Sequence, residues 1–514
     1  MNLNKLLTAL RQRKNTPARN LPAERHERYT HALEQFLDGQ PAVRLGGAYT
    51  LANLADEWLT DISLPEQVRR EEAQTIIDAL TGCIRTPYPL AQNRQVLEAD
   101  EAPEGYKGDF THDQEALREE QLVRRTVFME FSRRLAAVAE SPEKDNEENQ
   151  HAVPPISPLW ADLRFDFSGA PIFYPLRELY FQNADFASAT FYGPADFFGA
   201  TFHGDTSFSA AQFTADASFH GVTFTGEVDF SDAVFSAAAD FAVSAFKSDA
   251  DFSRLNTAGI ASFAALTFEG KAVFTASTFH DEAHFAASVF NRPAVFSKSL
   301  FGGTARFAGI ATKQSAMFSN VRFTGAADFS GASFTQYEDF GGARFDGDAT
   351  FSRSSFFEVL RTSYDMDFPQ YANFAKAAFA QEADFSKATF TASVGFGKVT
   401  FAGAVSFNGA NFAGAYFADA KFSQKADFRQ TRFAYAEPSF WDSEGQQKSA
   451  RFSAQADPQD YLFGTRSESP YGFSCGEAQL LNRTFVLPLG TVLYDPDSWD
   501  EEKQDYTRFS EPAQ

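Results

Sequence analysis

Asp205, Glu227 and Asp249 stand 22 residues apart, and Asp229 and Asp251 repeat at the same interval, each two residues after a member of the first set. Carboxylates recurring at a fixed spacing in a repeating chain fall into one column. Like charges stacked at strand spacing repel unless they are solvated or paired. The chemistry open to such a strip is docking of a cation or a basic partner, and the plain alternative is a solvated face. Lys271 ends the strip, and Val273, Val295 and Met317 follow at the same interval. An exposed apolar column marks an interface, either with another part of the same chain or with a partner.

Other candidates are weaker. His280 and His284, in HDEAH, have a spacing that holds zinc on a helix. Phe279 and Phe285 bracket them, which places them at a repeat corner rather than on a helix. No G-x-S-x-G, phosphate loop, G-x-G-x-x-G before a helix or Cys/His pair is present. The expectation is a protein without catalytic residues, cofactor or metal. Its possible interaction surface is Asp205, Glu227, Asp229, Asp249, Asp251, Val273, Val295 and Met317.

The element that positions these residues is a repeat. Phe186, Phe197, Phe208, Phe219, Phe230, Phe241 and Phe252 are spaced by eleven, and Phe191, Phe202, Phe213, Phe224, Phe235 and Phe246 follow each by five. Such self-similarity is the signature of one small unit stacked many times. Two residues before each Phe sits a small residue, usually Ala, and one before it Asp is frequent. The Phe and the small residue share a parity and point inward from a short extended segment, while the Asp points outward. Four segments close a square coil of about 22 residues. About eleven coils at the ~4.8 Å strand spacing give a rod on the order of 50–55 Å long. Thr257 and Thr312 stand where Phe is expected. Residues 357–373 read as one inserted residue with two lost Phe positions, and from Phe407 to Phe422 the spacing tightens to a strict five.

The unit A-D-F-S-x resembles the pentapeptide-repeat family, whose unit is A-(D/N)-(L/F)-x-x, and is most similar to its Phe-centred branch. The resemblance implies a right-handed quadrilateral β-helix with an N-terminal α-helical domain. A long rigid surface without a pocket motif points to a non-catalytic protein-interaction scaffold; the resemblance adds a DNA mimic that occupies the basic DNA cleft of gyrase, and an enzyme with an unrecognised site in the helical domain or the 357–373 loop is the third alternative. End-to-end dimerisation is a further implication. Val43 to Trp58, VRLGGAYTLANLADEW, resembles a segment that precedes such repeats in some bacterial proteins; Gly46 and Gly47 there suit close helix packing.

Residues 1–139 read as helical, with apolar residues at helical spacing over Ala23–Leu37, Val43–Leu59, Pro65–Arg85 and Gln114–Ala137. Residues 91–110 are a polar loop, 140–155 a charged, Pro-containing linker, 156–440 the array, and 441–514 a capping segment with an acidic tail frayed from Asp495 to Asp505. Thr484–Tyr494 reads as strand–turn–strand.

A net charge of −23, spread along the chain, argues against holding nucleic acid through its phosphates or coating an anionic membrane. Two distant cysteines, Cys83 and Cys475, make no disulfide framework. No run reaches the ~18 apolar residues of a membrane span. The expectation is a soluble, cytoplasmic bacterial protein that binds an unnamed protein partner.

Overall fold

The structure is a computed structural model and describes residues 21–136, 159–357, 372–441 and 449–514. The 140–155 linker lies outside the described residues. The chain divides into two compact units, Met1–Thr86 with Leu97–Asp166, and Pro87–Val96 with Phe167–Gln514. The sequence division gave all of 1–139 to the helices, whereas Pro87–Val96 groups with the array. Arg94 holds it there, donating to the carbonyl oxygens of Tyr192 and Pro194 at 3.0 and 3.1 Å.

The first unit contains α1 (Leu21–Phe36), α2 (Pro41–Thr60), α3 (Glu66–Arg85) and α5 (Phe110–Ala136); the short α4 (Arg94–Leu97) straddles the division. Leu51, Leu54, Ala55 and Trp58 of α2 pack with Ile76, Ile77, Leu80 and Ile84 of α3 in its buried core. Gly47 has a steric reason to be glycine, since a Cβ there would lie 2.4 Å from the Phe36 backbone nitrogen. Gly46 faces open space, so the close-packing expectation holds for one glycine of the pair. A buried carboxylate, Glu120 of α5, accepts from Arg44 of α2 at 2.5 Å and from Arg124 at 2.6 Å. Arg124 also donates to the Ile84 and Thr86 carbonyls at the end of α3.

The second unit is a parallel β-solenoid of about 12 turns. Each coil has four two-residue strands, each pairing with its counterpart in the next coil. Register over most of the array is 22, as in Ala217↔Ala239 and Val228↔Ala250. Phe rings fill the interior in four columns. Successive rings stack nearly parallel, with centroids 4.3 Å apart for Phe213–Phe235 and 4.7 Å for Phe208–Phe230 and Phe219–Phe241. Opposed columns meet edge to face, as Phe208 meets Phe219 at 5.5 Å and 86°. Both arrangements are favoured by the ring quadrupole, and burial of so many rings is the main stabilising contribution.

The corners explain the Asp. After the Phe186 and Phe197 columns the second residue is left-handed, at Ser188, Gly199, Ala210, Gly221, Asp232, Val243 and Arg254, an eleven-residue rhythm. Asp one before the Phe closes that turn by accepting from the backbone N–H two residues on, as Asp229 does from Ser231 at 2.7 Å and Asp240 from Ala242 at 2.9 Å. This local turn is what Asp does well. Inner serines are satisfied by backbone; Ser277 Oγ donates to the Phe252 carbonyl and accepts from the Leu255 N–H.

Three sequence expectations are corrected. First, the irregular region costs no Phe column. Pairing across it runs Asp339↔Asn373, Phe345↔Phe379 and Phe356↔Phe390, so the register becomes 34. Residues 358–371 of that insertion lie outside the described residues. Second, the columns continue past 440, with Phe440, Phe452 and Phe463 stacking on Phe417, Phe422 and Phe428 at 5.0, 4.7 and 5.5 Å. Third, the acidic tail is folded; Trp499–Asp500 pairs with Asp505–Tyr506, and Lys421 lies over both the Trp499 and Tyr506 rings. The strand–turn–strand expected over Thr484–Tyr494 is present, with each strand pairing elsewhere. Arg483–Pro488 pairs with Cys475–Leu480, and Val492–Tyr494 adds to Arg451–Ser453.

Candidate functional site

The solenoid turns the 22-residue spacing into a surface. Asp205, Glu227, Asp249 and Lys271 occupy equivalent corner positions in successive coils. Beside them the strands run in register through Asp185↔Ser207, Ser207↔Asp229, Asp229↔Asp251 and Asp251↔Val273. The two columns line one open groove of about 600 Å³, which also includes Asn183 and the backbone of the inward positions Ala184, Thr206, Val228 and Ala250. All five acidic residues singled out in the sequence are brought together here. Asp185 is a sixth that the sequence argument did not reach, although it stands 44 residues before Asp229 on the same rhythm.

The outer carboxylates are exposed and the inner ones half-buried. One oxygen of most is already used by the fold. Asp205 accepts from the Glu227 N–H at 3.0 Å and Asp249 from the Lys271 N–H at 2.8 Å, tying adjacent coils. Asp185, Asp229 and Asp251 close corner turns, accepting from Ala187, Ser231 and Ser253 at 2.8, 2.7 and 2.7 Å. Lys271 is the one cation among the groove's lining residues, and Arg254, paired with Asp232, also interacts with Asp229 and Asp251. Adjacent members of a column are a strand spacing, about 4.7–4.9 Å, apart. The carboxylates therefore form a ladder rather than converging on a point. No group of three His, Cys, Asp or Glu among the described residues is disposed to hold a metal ion.

Val273, Val295 and Met317 stack in register beyond the acidic run and are half-buried. They continue its inner column along the same edge, which then returns to acid at Asp339. The HDEAH histidines do not share a face. His284 sits 2.9 Å from Glu282, with Arg306 against both, and His280 is exposed at the preceding corner. The hydrogen bond from His284, then that from Arg306, holds the Glu282 carboxyl below its ordinary range.

The most displaced acidities lie elsewhere. Burial pushes the Glu338 carboxyl up to about 8 and the Tyr494 phenol up to about 12. Neither residue lines the groove.

The repeating A-D-F unit, four short strands per coil and parallel stacking in register are now joined by a direct match. The family model described as pentapeptide repeats (9 copies) matches residues 178–223 and 313–359. Those two stretches carry the pentapeptide repeat, and the Phe-rich coils around them continue the same β-solenoid. No curated protein and no solved structure matches it. The first stretch matched by the pentapeptide-repeat model includes Asp185 and Asp205, so the groove begins within the recognised repeats rather than in an appended segment. No helix among the described residues is long and apolar enough to cross a membrane.

Proposed function

We propose that this protein is a non-catalytic interaction scaffold that docks a basic segment of a partner protein along the acidic groove. The observation that carries the reading is the register. Six carboxylates in two adjacent columns face one groove of about 600 Å³ with a single lysine at its end. A ladder of this kind suits an extended cationic chain, whose charges repeat along a line, better than a compact ion. The apolar column Val273, Val295 and Met317 continues the same edge and extends the docking surface. Proteins with such repeats are generally interaction proteins rather than enzymes. The DNA-mimic alternative calls for negative charge along the length of the array. Here the edge changes from acid to Lys271 and then to Val273, Val295 and Met317, which favours a segment-binding protein.

The test separates charge from fold. Asp205→Asn, Asp229→Asn, Asp249→Asn and Asp251→Asn keep a side-chain oxygen for each backbone N–H while removing the charge; Glu227→Gln completes the set. Binding of a fluorescein-labelled octalysine peptide is read by anisotropy at low and high salt. The expected result is salt-sensitive binding by the native chain, because exposed charges are screened within about 10 Å at 0.1 M, and loss of binding in the folded five-site variant. Equal binding by the two proteins overturns the reading.

A further inference from the structure

The solenoid carries a second charged strip, on the strands that follow the Phe186 column. Just before the rings of the Phe191 column stand Leu300, Arg322, Arg344, Ala378, Thr400 and Lys421 in successive coils, stacked in parallel register. The left-handed corner leading into each of these strands holds Lys298, Asn320, Gly342, Lys376, Lys398 and Asp419. Corner and strand together give one exposed cation on each of five successive coils: Lys298, Arg322, Arg344, Lys376 and Lys398. Asp346 is the one carboxylate on these strand edges and corners between Lys298 and Lys398, and it accepts from Arg322 at 2.7 Å. Asp348 and Glu382 stand exposed at the next corner, where Asp348 accepts from the Glu382 N–H at 3.2 Å. Among the described residues Lys298, Arg344, Lys376 and Lys398 form no ion pair. Like charges stacked on one sheet face repel, so this face is stabilised by an anion laid along it.

The acidic groove supplies the complement. Its carboxylates fall on four successive coils, at Asp185, at Asp205, at Glu227 with Asp229, and at Asp249 with Asp251. Both ladders are rungs of one solenoid, so both advance by a strand spacing of about 4.7–4.9 Å per coil. An unrelated basic segment brings its own charge spacing, whereas a second solenoid of this sequence brings the spacing of the groove itself. Laid along the groove, the strip sets a cation against every carboxylate rung. We propose that the groove's partner is a second copy of this chain, the basic strip of one copy lying along the acidic groove of the other. This rests on the reading of the groove as a docking site for cationic segments and names its occupant. The contact runs side by side along the coils, so the ends of the solenoid take no part in it.

Such a contact joins two different patches and is heterologous. A copy that lacks one patch therefore pairs only through the other. Each copy carries a net charge of −23, which opposes association at long range. At 0.1 M salt charges are screened beyond about 10 Å, so that repulsion counts little where cation and carboxylate touch; at 1 M the screening length falls to about 3 Å and the ladder is released. Association through the strip is thus strongest at moderate salt.

Sedimentation velocity on the full chain tests this. The native protein should sediment at twice its monomer mass or more in 0.1 M salt, and as a monomer in 1 M salt or with excess octalysine, which takes the groove. A groove variant carries Asp205→Asn, Glu227→Gln, Asp229→Asn, Asp249→Asn and Asp251→Asn. A strip variant carries Lys298→Gln, Arg322→Gln, Arg344→Gln, Lys376→Gln and Lys398→Gln; glutamine already occupies the left-handed corner at Gln430 and the equivalent strand position at Gln212. Each variant should be monomeric alone, and an equimolar mixture should form a one-to-one pair, because one supplies the strip and the other the groove. A native chain that stays monomeric in 0.1 M salt, a folded variant that still self-associates, or a mixture that associates no more than its components overturns the proposal. Should a variant fail to fold, the native chain decides alone, since association that octalysine does not reverse also overturns it. Octalysine binding keeps the two readings apart: a chain that binds the peptide but does not self-associate retains the docking groove and loses this occupant, and a chain that binds no peptide loses both.

Discussion

At the scale of single residues, the informative positions are those where the repeat breaks its own rule. Thr257 and Thr312 replace inward rings and are buried, at 0% and 1% exposure, with no partner for either hydroxyl. The neighbouring inward residues answer the lost volume. Leu255 stands where the adjoining coils have Ala233 and Ser277, and Ile310 stands between Ser288 and Ala332. This coil has exchanged a large residue for a small one at one site and the reverse two residues away. Thr257→Phe alone should therefore overpack the coil and destabilise it by about 1–3 kcal/mol. Thr257→Phe with Leu255→Ala should recover most of that loss, because the ring then rejoins Phe235 and Phe279 as in every regular coil. Denaturant midpoints of the two single variants and the double variant measure the coupling, and additivity would show that the two sites are packed independently. The sequence exposed the missing rings at once, because they interrupt a rhythm. The compensation was not legible, because Leu and Val also occur at such positions beside intact rings, as at Leu266 and Val321. The groove acids were legible for the same reason as the rings: period alone places residues 22 apart on one surface.

Secondary elements show where periodicity stops being a guide. The four long helices were readable to within a few residues, since each carries apolar residues at helical spacing and ends near Pro or a polar turn, whereas the short α4 lies in the 91–110 stretch read as a polar loop. What joins them was not readable. Arg44 and Glu120 are 76 residues apart, and only the folded unit brings α2, α3 and α5 to one buried carboxylate. The insertion shows the converse failure. Its register of 34 exceeds the regular coil by twelve, one more than the eleven-residue unit, so the insertion looks in sequence like a slip of one residue with missing rings. Glu120 allows a prediction at this scale. Burial alone would raise its pKa, but hydrogen bonds from Arg44 and Arg124 outweigh it and hold the carboxyl below its ordinary value. Its contribution is therefore present above the ordinary carboxylate range and is lost as pH falls through the depressed value. Glu120→Gln leaves Arg124, 2% exposed, without its counter-charge, and should destabilise the helical unit by about 3–5 kcal/mol at neutral pH. Helical circular dichroism at 222 nm, followed from pH 6 to pH 2, should show a smaller acid-induced loss of stability in the variant than in the native chain. An unchanged acid transition would mean that other carboxylates set it.

For the solenoid as a whole, the structural unit is eleven residues rather than five or twenty-two. The left-handed corners recur at that interval from Ser188 to Arg353, and the Phe186 and Phe197 columns are built alike, with Asp before the ring and the same turn after it. Stability in such an array is close to a sum of coil terms and neighbour terms, so whole units should be removable. Deleting 274–295 joins Val273 to Phe296, keeps every ring inward and leaves all four faces aligned. Deleting 274–284 joins Val273 to Phe285; it also keeps every ring inward, but turns all later coils by half a coil. Deleting only 274–278 breaks the alternation of five and six and places corner residues where strands must pair. The first two variants should keep the β-sheet spectrum and cooperative melting of the parent, and the third should lose both. The comparison also dissects the docking edge. The 22-residue deletion leaves Met317 beside Val273, on the edge that carries Asp229 and Asp251. The 11-residue deletion, made with Arg306→Ala because it brings Arg306 to the place beside Val273, moves Val295 and Met317 to the opposite face while leaving the acidic groove whole. If the apolar column belongs to the docking surface, a lysine-rich peptide extended by an apolar segment should bind the half-coil variant more weakly than the whole-coil variant, while octalysine binds both alike. Equal affinity for the extended peptide would confine recognition to the carboxylate ladder, because the two variants differ on this edge in the apolar column but share the groove.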